Sequence, residues 1–386
     1  MNSPADPQPI DEHDQHSSRH GQVPKLEGYF RAMMKADASD LHLKANLPPH
    51  IRVKSMIRPT RAEPLTGDDI TSLARELLTE KQVKFLEDHG SIDVAHEVED
   101  GDRFRINIFR QRGETSIAVR RVTKTIPSFE QLFLPKVLGQ IAMESQGLVL
   151  LSGATGSGKS TTIASMIEFI NTVRPCHIVT IEDPIEYIYQ DKKALISQRE
   201  IGLDVETFES ALKYLMREDP DVVLIGEMRD RETFQAALQA SETGHLVFGT
   251  VHASSASQTV GRVLELFPPE SRELVRQSLS FNLRAIVCQK LLPSISTKVS
   301  RVPAVEVMIS NPSVRQLISE ARETELPDVI RNHERDGMRT FTRSLLELIE
   351  TEMVDPKIAY EVAPNVEELR MLMKGISTNR SSLLGR

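Results

Sequence analysis

Apolar residues change their spacing twice along the chain. Leu26, Phe30, Met33 and Met34 sit at helical intervals and predict a short helix. Leu41 and Leu43, then Ile51 and Val53, alternate with polar residues on either side of Pro48-Pro49. That pattern predicts two strands joined by a turn. Leu73, Leu77 and Leu78 predict a helix beginning near Thr66-Gly67-Asp68. Phe104, Ile106 and Ile108 alternate again, and Ile117, Val119 and Val122 follow. Residues 25–122 therefore read as a small α+β domain around an antiparallel sheet. Residues 123–135 read as a linker ending at Pro135.

Beyond the linker the strands become continuously apolar. Gly147 to Ser152, His177 to Ile181, Val222 to Ile225 and Leu246 to Thr250 are four such runs. Between the first two, Ile163, Met166, Ile167 and Ile170 mark one helix face. Apolar strands separated by helices predict a parallel sheet covered on both faces, over residues 136–294. Residues 295–375 read as mostly helical, with faces at Val314, Leu317 and Ile318, at Phe341, Leu345, Leu348 and Ile349, and at Leu369, Leu372 and Met373. Residues 1–24, rich in Pro, Asp, Gln, Ser and His, cannot bury enough surface to fold and read as a disordered tail. His13, His16 and His20 there read as solvated rather than as a metal tract. Residues 376–386 read as a second tail.

Composition narrows the function. The 386 residues carry 47 Lys and Arg against 55 Asp and Glu, a net charge of −8. That excludes a nucleic-acid-coating protein, and 5% aromatic residues with no Trp offer little for base stacking. Two cysteines, Cys176 and Cys288, exclude a disulfide framework and a four-cysteine zinc site. No apolar run reaches membrane-spanning length and the N-terminus has no signal-peptide core, so the expected location is cytoplasmic.

The strongest chemical signal is Gly153-Ala154-Thr155-Gly156-Ser157-Gly158-Lys159-Ser160, which fits GxxxxGK[ST] between a predicted strand and a predicted helix. Glycines let the backbone turn so that N–H groups point inward at phosphate oxygens, and the helix N-terminus adds its positive end. Lys159 would reach the β- and γ-phosphates of ATP, and the Ser160 hydroxyl would ligate Mg²⁺. A carboxylate is needed on the metal side. Glu227 ends the apolar run Val222–Ile225 and supplies it, whereas Asp221 before the run reads as a turn or cap residue. A second acidic cluster, Glu182-Asp183-Pro184-Ile185-Glu186, follows another strand, where it could polarise the attacking water. The residues alone divide that role between Glu182 and Glu186. His245 and His252 flank the fourth strand, read either as sensors near phosphate or as strand-end histidines satisfied by backbone. Arg103 and Arg105 leave one face of a strand, a surface of guanidinium groups suited to phosphate or carboxylate. Arg110, Arg112 and Arg121 read as a solvated polar face.

Four ordered motifs carry a resemblance. They are GATGSGKST from Gly153 to Thr161, TIEDPIEY from Thr180, LIGEMRD from Leu224 and TGHLVFGTVH from Thr243. Together, over about residues 26–375, they closely resemble the PilT/PilU family of type IV pilus retraction ATPases, within the secretion-ATPase superfamily. The resemblance implies a PAS-like N-terminal domain, a RecA-like ATPase core and a homohexameric ring in which ATP hydrolysis changes the angle between the domains. It implies Glu186 as the catalytic glutamate, Glu227 as the Walker B acid supporting Mg²⁺, and His245 and His252 as a pair near the nucleotide and the interface. It implies arginine fingers from Arg103, Arg105 and Arg120. It also implies work at the inner face of the cytoplasmic membrane on the platform protein PilC, alone or beside a paralogue. The chain departs from the family where Asn46 and Ser55 replace usual glycines and where Ser319 replaces an arginine in Ser313-Val-Arg-Gln-Leu-Ile-Ser-Glu320. The PilT and PilU alternatives both stand at this point. Rival readings are a pilus-assembly or type II secretion ATPase, a nucleic-acid motor on a RecA-like core, and a non-hydrolysing regulatory subunit. The first would bring a four-cysteine zinc module and a longer N-terminal region.

Overall fold

Strand β7 (Gly147–Ser152) shows how the apolar runs are used. Leu148 and Leu150 enter one core cluster, while Val149 and Leu151 enter another on the opposite face. β10 (Val222–Ile225) divides its side chains in the same way. β11 (Leu246–Val251) does so through Leu246 and Phe248 on one face and Val247 and Val251 on the other. A strand buried on both faces needs no polar alternation, which is why these segments read as continuous apolar runs.

The computed structural model describes residues 25–53, 56–99 and 101–376. The tail expected at 1–24, and all but Ile376 of the one expected at 376–386, lie outside the described residues, as does Ser55. The chain divides into two compact units, residues up to Thr125 with Glu186–Ile188, and the remainder from Ile126.

The first unit holds α1 (Leu26–Lys35), β1 (Asp40–Leu43), β2 (His50–Val53), β3 (Met56–Pro59), α2 (Gly67–Leu77), α3 (Glu80–His89), β4 (Ser91–Glu97), β5 (Arg103–Gln111) and β6 (Glu114–Val122). The strands form one antiparallel sheet in the order β3-β2-β1-β6-β5-β4. Phe30, Met33, Ile70 and Leu73 from the helices pack with Phe104, Ile106, Ile117 and Val119. The Phe30 and Phe104 rings stack with centroids 4.5 Å apart. Thr66 caps α2 by accepting from the Asp69 N–H, while Asp69 accepts from the Thr66 N–H, so the predicted start signal is a capping box. Asn46 stands at φ 64°, a left-handed turn geometry that asparagine tolerates.

The second unit begins with α4 (Val137–Ala142) and β7, then α5 (Lys159–Val173), β8 (His177–Glu182), β9 (Leu195–Glu200), α6 (Phe208–Leu215), β10, α7 (Arg231–Glu242), β11, α8 (Ala256–Glu265), α9 (Pro269–Asn282), β12 (Leu283–Pro293) and β13 (Arg301–Ile309). It ends with α10 (Pro312–Ser319), α11 (Leu326–Asn332), α12 (Phe341–Glu350), α13 (Pro356–Val362) and α14 (Val366–Met373). Seven strands run in the order β13-β12-β7-β11-β10-β8-β9. All neighbours are parallel except the edge pair β12–β13.

Two expectations change here. β13 lies inside the stretch read as helical from 295; Val302 to Met308 are buried, with side chains entering both core clusters, so no alternation of apolar and polar residues marks it as a strand. The 123–135 segment is not all linker: Phe129 packs on Phe169, Leu132 packs on the core and Leu134 is buried in it.

Candidate functional site

The carboxyl ends of β7, β8, β10 and β11 lie side by side, the edge where ligands bind in open α/β sheets. The loop after β7 carries the glycine-rich motif. Gly153, Gly156 and Gly158 take φ of 150°, 77° and 89°. A Cβ on Gly158 would stand 2.7 Å from the Gln289 amide nitrogen, and one on Gly153 2.5 Å from the Gln289 carbonyl oxygen. The backbone thus turns where only glycine fits. Lys159 opens α5 with its ammonium folded back into the loop, donating to the carbonyls of Gly153 at 2.8 Å and Ala154 at 3.1 Å. Ala154, Thr155 and Gly156 form an exposed tip, while Ser157 and Lys159 are buried. The buried Ser157 hydroxyl has no hydrogen-bond partner among the described residues. Ser160 and Thr161 follow in the first turn of α5, partly exposed.

Glu227 projects beyond β10, after Gly226. Gly226 is held by its N–H donating to Ile181 and its carbonyl accepting from the Thr250 hydroxyl at 2.7 Å. The Glu227 carboxylate accepts from Arg229 at 2.6 Å and from His252 Nε2 at 2.9 Å. Partial burial pushes its carboxyl up, but the hydrogen bonds and charges of Arg229 and His252 outweigh burial and hold it below the usual range. A hydroxyl at Ser160 and an ionised carboxylate at Glu227 are hard oxygen donors of the kind Mg²⁺ takes.

The two acids left open after β8 separate clearly. Glu182 is buried and accepts from the Thr180 hydroxyl at 2.7 Å and the Gln198 amide at 3.2 Å. Glu186 is exposed. Asp221, read as a turn or cap residue, accepts from the His177 N–H at 2.8 Å. The histidines separate too. His252 joins Glu227. His245 lies at the other end of β11, about 20 Å away at the usual rise per residue. Its Nδ1 sits 2.9 Å from the carbonyl of Ala240 in the last turn of α7. Within one chain the two histidines are thus apart, His252 beside Glu227 and His245 against the end of α7.

In the first unit Arg103 and Arg105 alternate with buried Phe104 and Ile106 on β5, and Arg105 stands opposite Arg120 on β6. Arg120 is tied to Asp40 at 3.0 Å, and Arg52 approaches the same carboxylate at 3.2 Å. Arg121, read as a solvated residue, pairs with Asp102 and Asp37.

Sequence reasoning passed over Arg229 and Gln289. Arg229 lies two residues beyond a strand-end acid. Gln289 follows the apolar run Ala285–Cys288 on β12 and is itself buried, a polar residue inside a covered strand. Among the described residues no group of three or more His, Cys, Asp or Glu forms a separate metal cluster, and no helix is long and apolar enough to cross a membrane.

Residues 25–324 match the model of the type II/IV secretion system protein family. The chain is 40% identical to the type IV pilus retraction ATPase PilT of Pseudomonas aeruginosa over 329 residues, covering 85% of this chain and 95% of PilT. It is 36% identical to the type IV pilus ATPase PilU of the same organism over 350 residues, 91% of each chain. The crystal structure of the pilus retraction motor PilT with bound ADP superimposes with a TM-score of 0.83 at 39% identity, covering 90% of this chain and 99% of that one.

Proposed function

The chain belongs to the type II/IV secretion system protein family, and from that membership we propose that it is a PilT/PilU-like ATPase that hydrolyses ATP to power retraction of type IV pili. The observation that carries the reading is one sheet edge. There a glycine-turned loop closes around Lys159, and an ionised Glu227 stands between Arg229 and His252.

Residues 153–161 bind the nucleotide phosphates through loop N–H groups, the Lys159 ammonium and the start of α5. Ser160 and Glu227 would hold Mg²⁺, which would supply positive charge to offset that of the nucleotide phosphates. His252 and Arg229 orient the Glu227 carboxylate. Glu186 accepts the proton of the attacking water, since its carboxylate is exposed whereas that of Glu182 is committed to Thr180 and Gln198. Arg103, Arg105 and Arg120 serve as arginine fingers toward a neighbouring subunit. The first unit plays the part of a PAS-like domain and the second of a RecA-like core. The working assembly is a homohexamer at the inner face of the cytoplasmic membrane, acting on a PilC-like platform protein.

The test is steady-state ATP hydrolysis of the full chain beside Glu186→Ala, across a protein dilution series with particle sizing. Activity that falls as a hexamer dissociates, and that vanishes in E186A, supports a ring with shared sites. Undiminished activity in E186A removes Glu186 as the base. Activity independent of dilution removes the shared sites.

A further inference from the structure

The buried side chain of Gln289 on β12 spends both ends of its amide on the phosphate loop. Its Nε2 donates to the Ser157 carbonyl at 2.8 Å, and its Oε1 accepts from the Thr162 hydroxyl at 2.8 Å. These partners flank Lys159, one before it in the loop and one in the first turn of α5. We propose that Gln289 is a positioning residue for nucleotide binding: it fixes the peptide between Ser157 and Gly158 and so aims the Gly158 N–H into the phosphate cradle. The inference rests on the nucleotide-binding reading above.

The argument is peptide geometry. In a trans peptide the carbonyl and the following N–H point in opposite directions. A Ser157 carbonyl anchored to Gln289 therefore turns the Gly158 N–H away from β12. Gly158, at φ 89°, is otherwise free to rotate its flanking peptides, because glycine pays no Cβ penalty in either hand. The same amide packs against Gly158 so closely that no larger residue fits there. A flipped Gln289 would set its Oε1 against the Ser157 carbonyl, acceptor against acceptor, whereas the Thr162 hydroxyl can donate or accept; the Ser157 carbonyl therefore fixes the sense of the amide and Thr162 holds its far end in place. The loop is thus referenced to a central strand rather than to its own flexible backbone. A glutamine that merely satisfied a core vacancy would not need its two partners on either side of Lys159.

The test is titration of the full-length protein with fluorescent N-methylanthraniloyl-ADP in Mg²⁺ buffer, with a thermal melt of each variant in parallel. Gln289→Leu is expected to weaken binding tenfold or more. Gln289→Glu, which keeps the size and the acceptor but loses the donor, should weaken it comparably. Thr162→Val should weaken it severalfold, and Thr162→Ser, which keeps the hydroxyl, should bind like wild type. A merely structural role predicts lower melting temperatures with unchanged affinity. Binding within twofold of wild type by folded Q289L overturns the inference; if Q289L does not fold, the same result for Q289E or T162V overturns it. Lys159→Ala separates the two readings. Wild-type binding lost in K159A but kept in Q289L removes only the positioning role. Wild type that does not bind the nucleotide at all removes both.

Discussion

His252 Nε2 lies 2.9 Å from Oε1 of Glu227, and Arg229 holds the same carboxylate at 2.6 Å. The acid reaches β10 through Gly226 and the histidine follows β11, so two neighbouring parallel strands place them together. Groups that orient a metal-ligating carboxylate are typically worth about 10–100-fold in metal affinity or activity. Replacing His252 by Ala is accordingly expected to raise the Mg²⁺ concentration for half-maximal hydrolysis by about 10–100-fold. Metal-free nucleotide binding should be unchanged. A Mg²⁺ titration that superimposes on wild type would remove His252 from this role.

Glu182 and Glu186, four residues apart, should fail in different ways. Glu182 is buried beneath two side-chain donors, so Glu182→Ala strands the Thr180 hydroxyl and takes one acceptor from the Gln198 amide. A stranded buried polar group costs about 1–3 kcal/mol, and the loss should appear in denaturant unfolding. Glu186 is exposed, so Glu186→Gln should leave the unfolding midpoint in place. Its turnover should fall about 10²–10⁴-fold, the usual contribution of a positioned general base. Equal turnover in E186Q and wild type would return the role to another acid.

Gly156 and Gly158 differ in their surroundings although both are left-handed. A Cβ on Gly156 meets nothing within 4 Å, whereas one on Gly158 would stand 2.7 Å from the Gln289 amide. Gly156→Ala should therefore cost about 1–2 kcal/mol, the backbone penalty alone. Gly158→Ala should cost more, because it must also displace a buried side chain that holds two hydrogen bonds. Unfolding of the two ligand-free variants checks the order, and a G156A loss equal to that of G158A would contradict it.

The parts of the site that sequence reading reached are those encoded locally. The GxxxxGK[ST] spacing, the apolar run ending at Glu227 and the strand-end His252 are each legible within a short window. Gln289 was not, since its meaning depends on β12 lying beside β7, a pairing between residues far apart in sequence. Arg229 escaped because an arginine near an acid is ordinary on a surface. The histidines show the reverse limit. The spacing of His245 and His252 fits one strand, but a strand has two ends, so spacing alone does not bring the two side chains together within one chain. In the fold, β13 was missed for the same reason that β7 was found. Both are covered on two faces, and an apolar run without alternation can be read as strand or helix.

Asp40 gives the first unit a pH dependence whose sign can be worked out. Its carboxylate is nearly buried, accepts from the Ser39 hydroxyl at 2.8 Å and pairs with Arg120 and Arg52. Burial pushes its carboxyl up, but Ser39, Arg120 and Arg52 together outweigh it, and the folded value lies below the ordinary 3.8. The unfolded chain therefore takes up the proton first. Stability contributed by Asp40 is complete above the ordinary value and is lost as pH falls through the lowered folded one. Asp40→Asn keeps the shape, removes the charge and leaves Arg120 and Arg52 without their shared acid. At neutral pH this should cost about 1–3 kcal/mol. The gap between wild type and D40N in urea unfolding should narrow as pH falls below about 4, because the wild-type acid is then losing its charge as well. A gap that stays constant from neutral pH to about pH 3 would mean that the Asp40 charge contributes nothing to the fold of this unit.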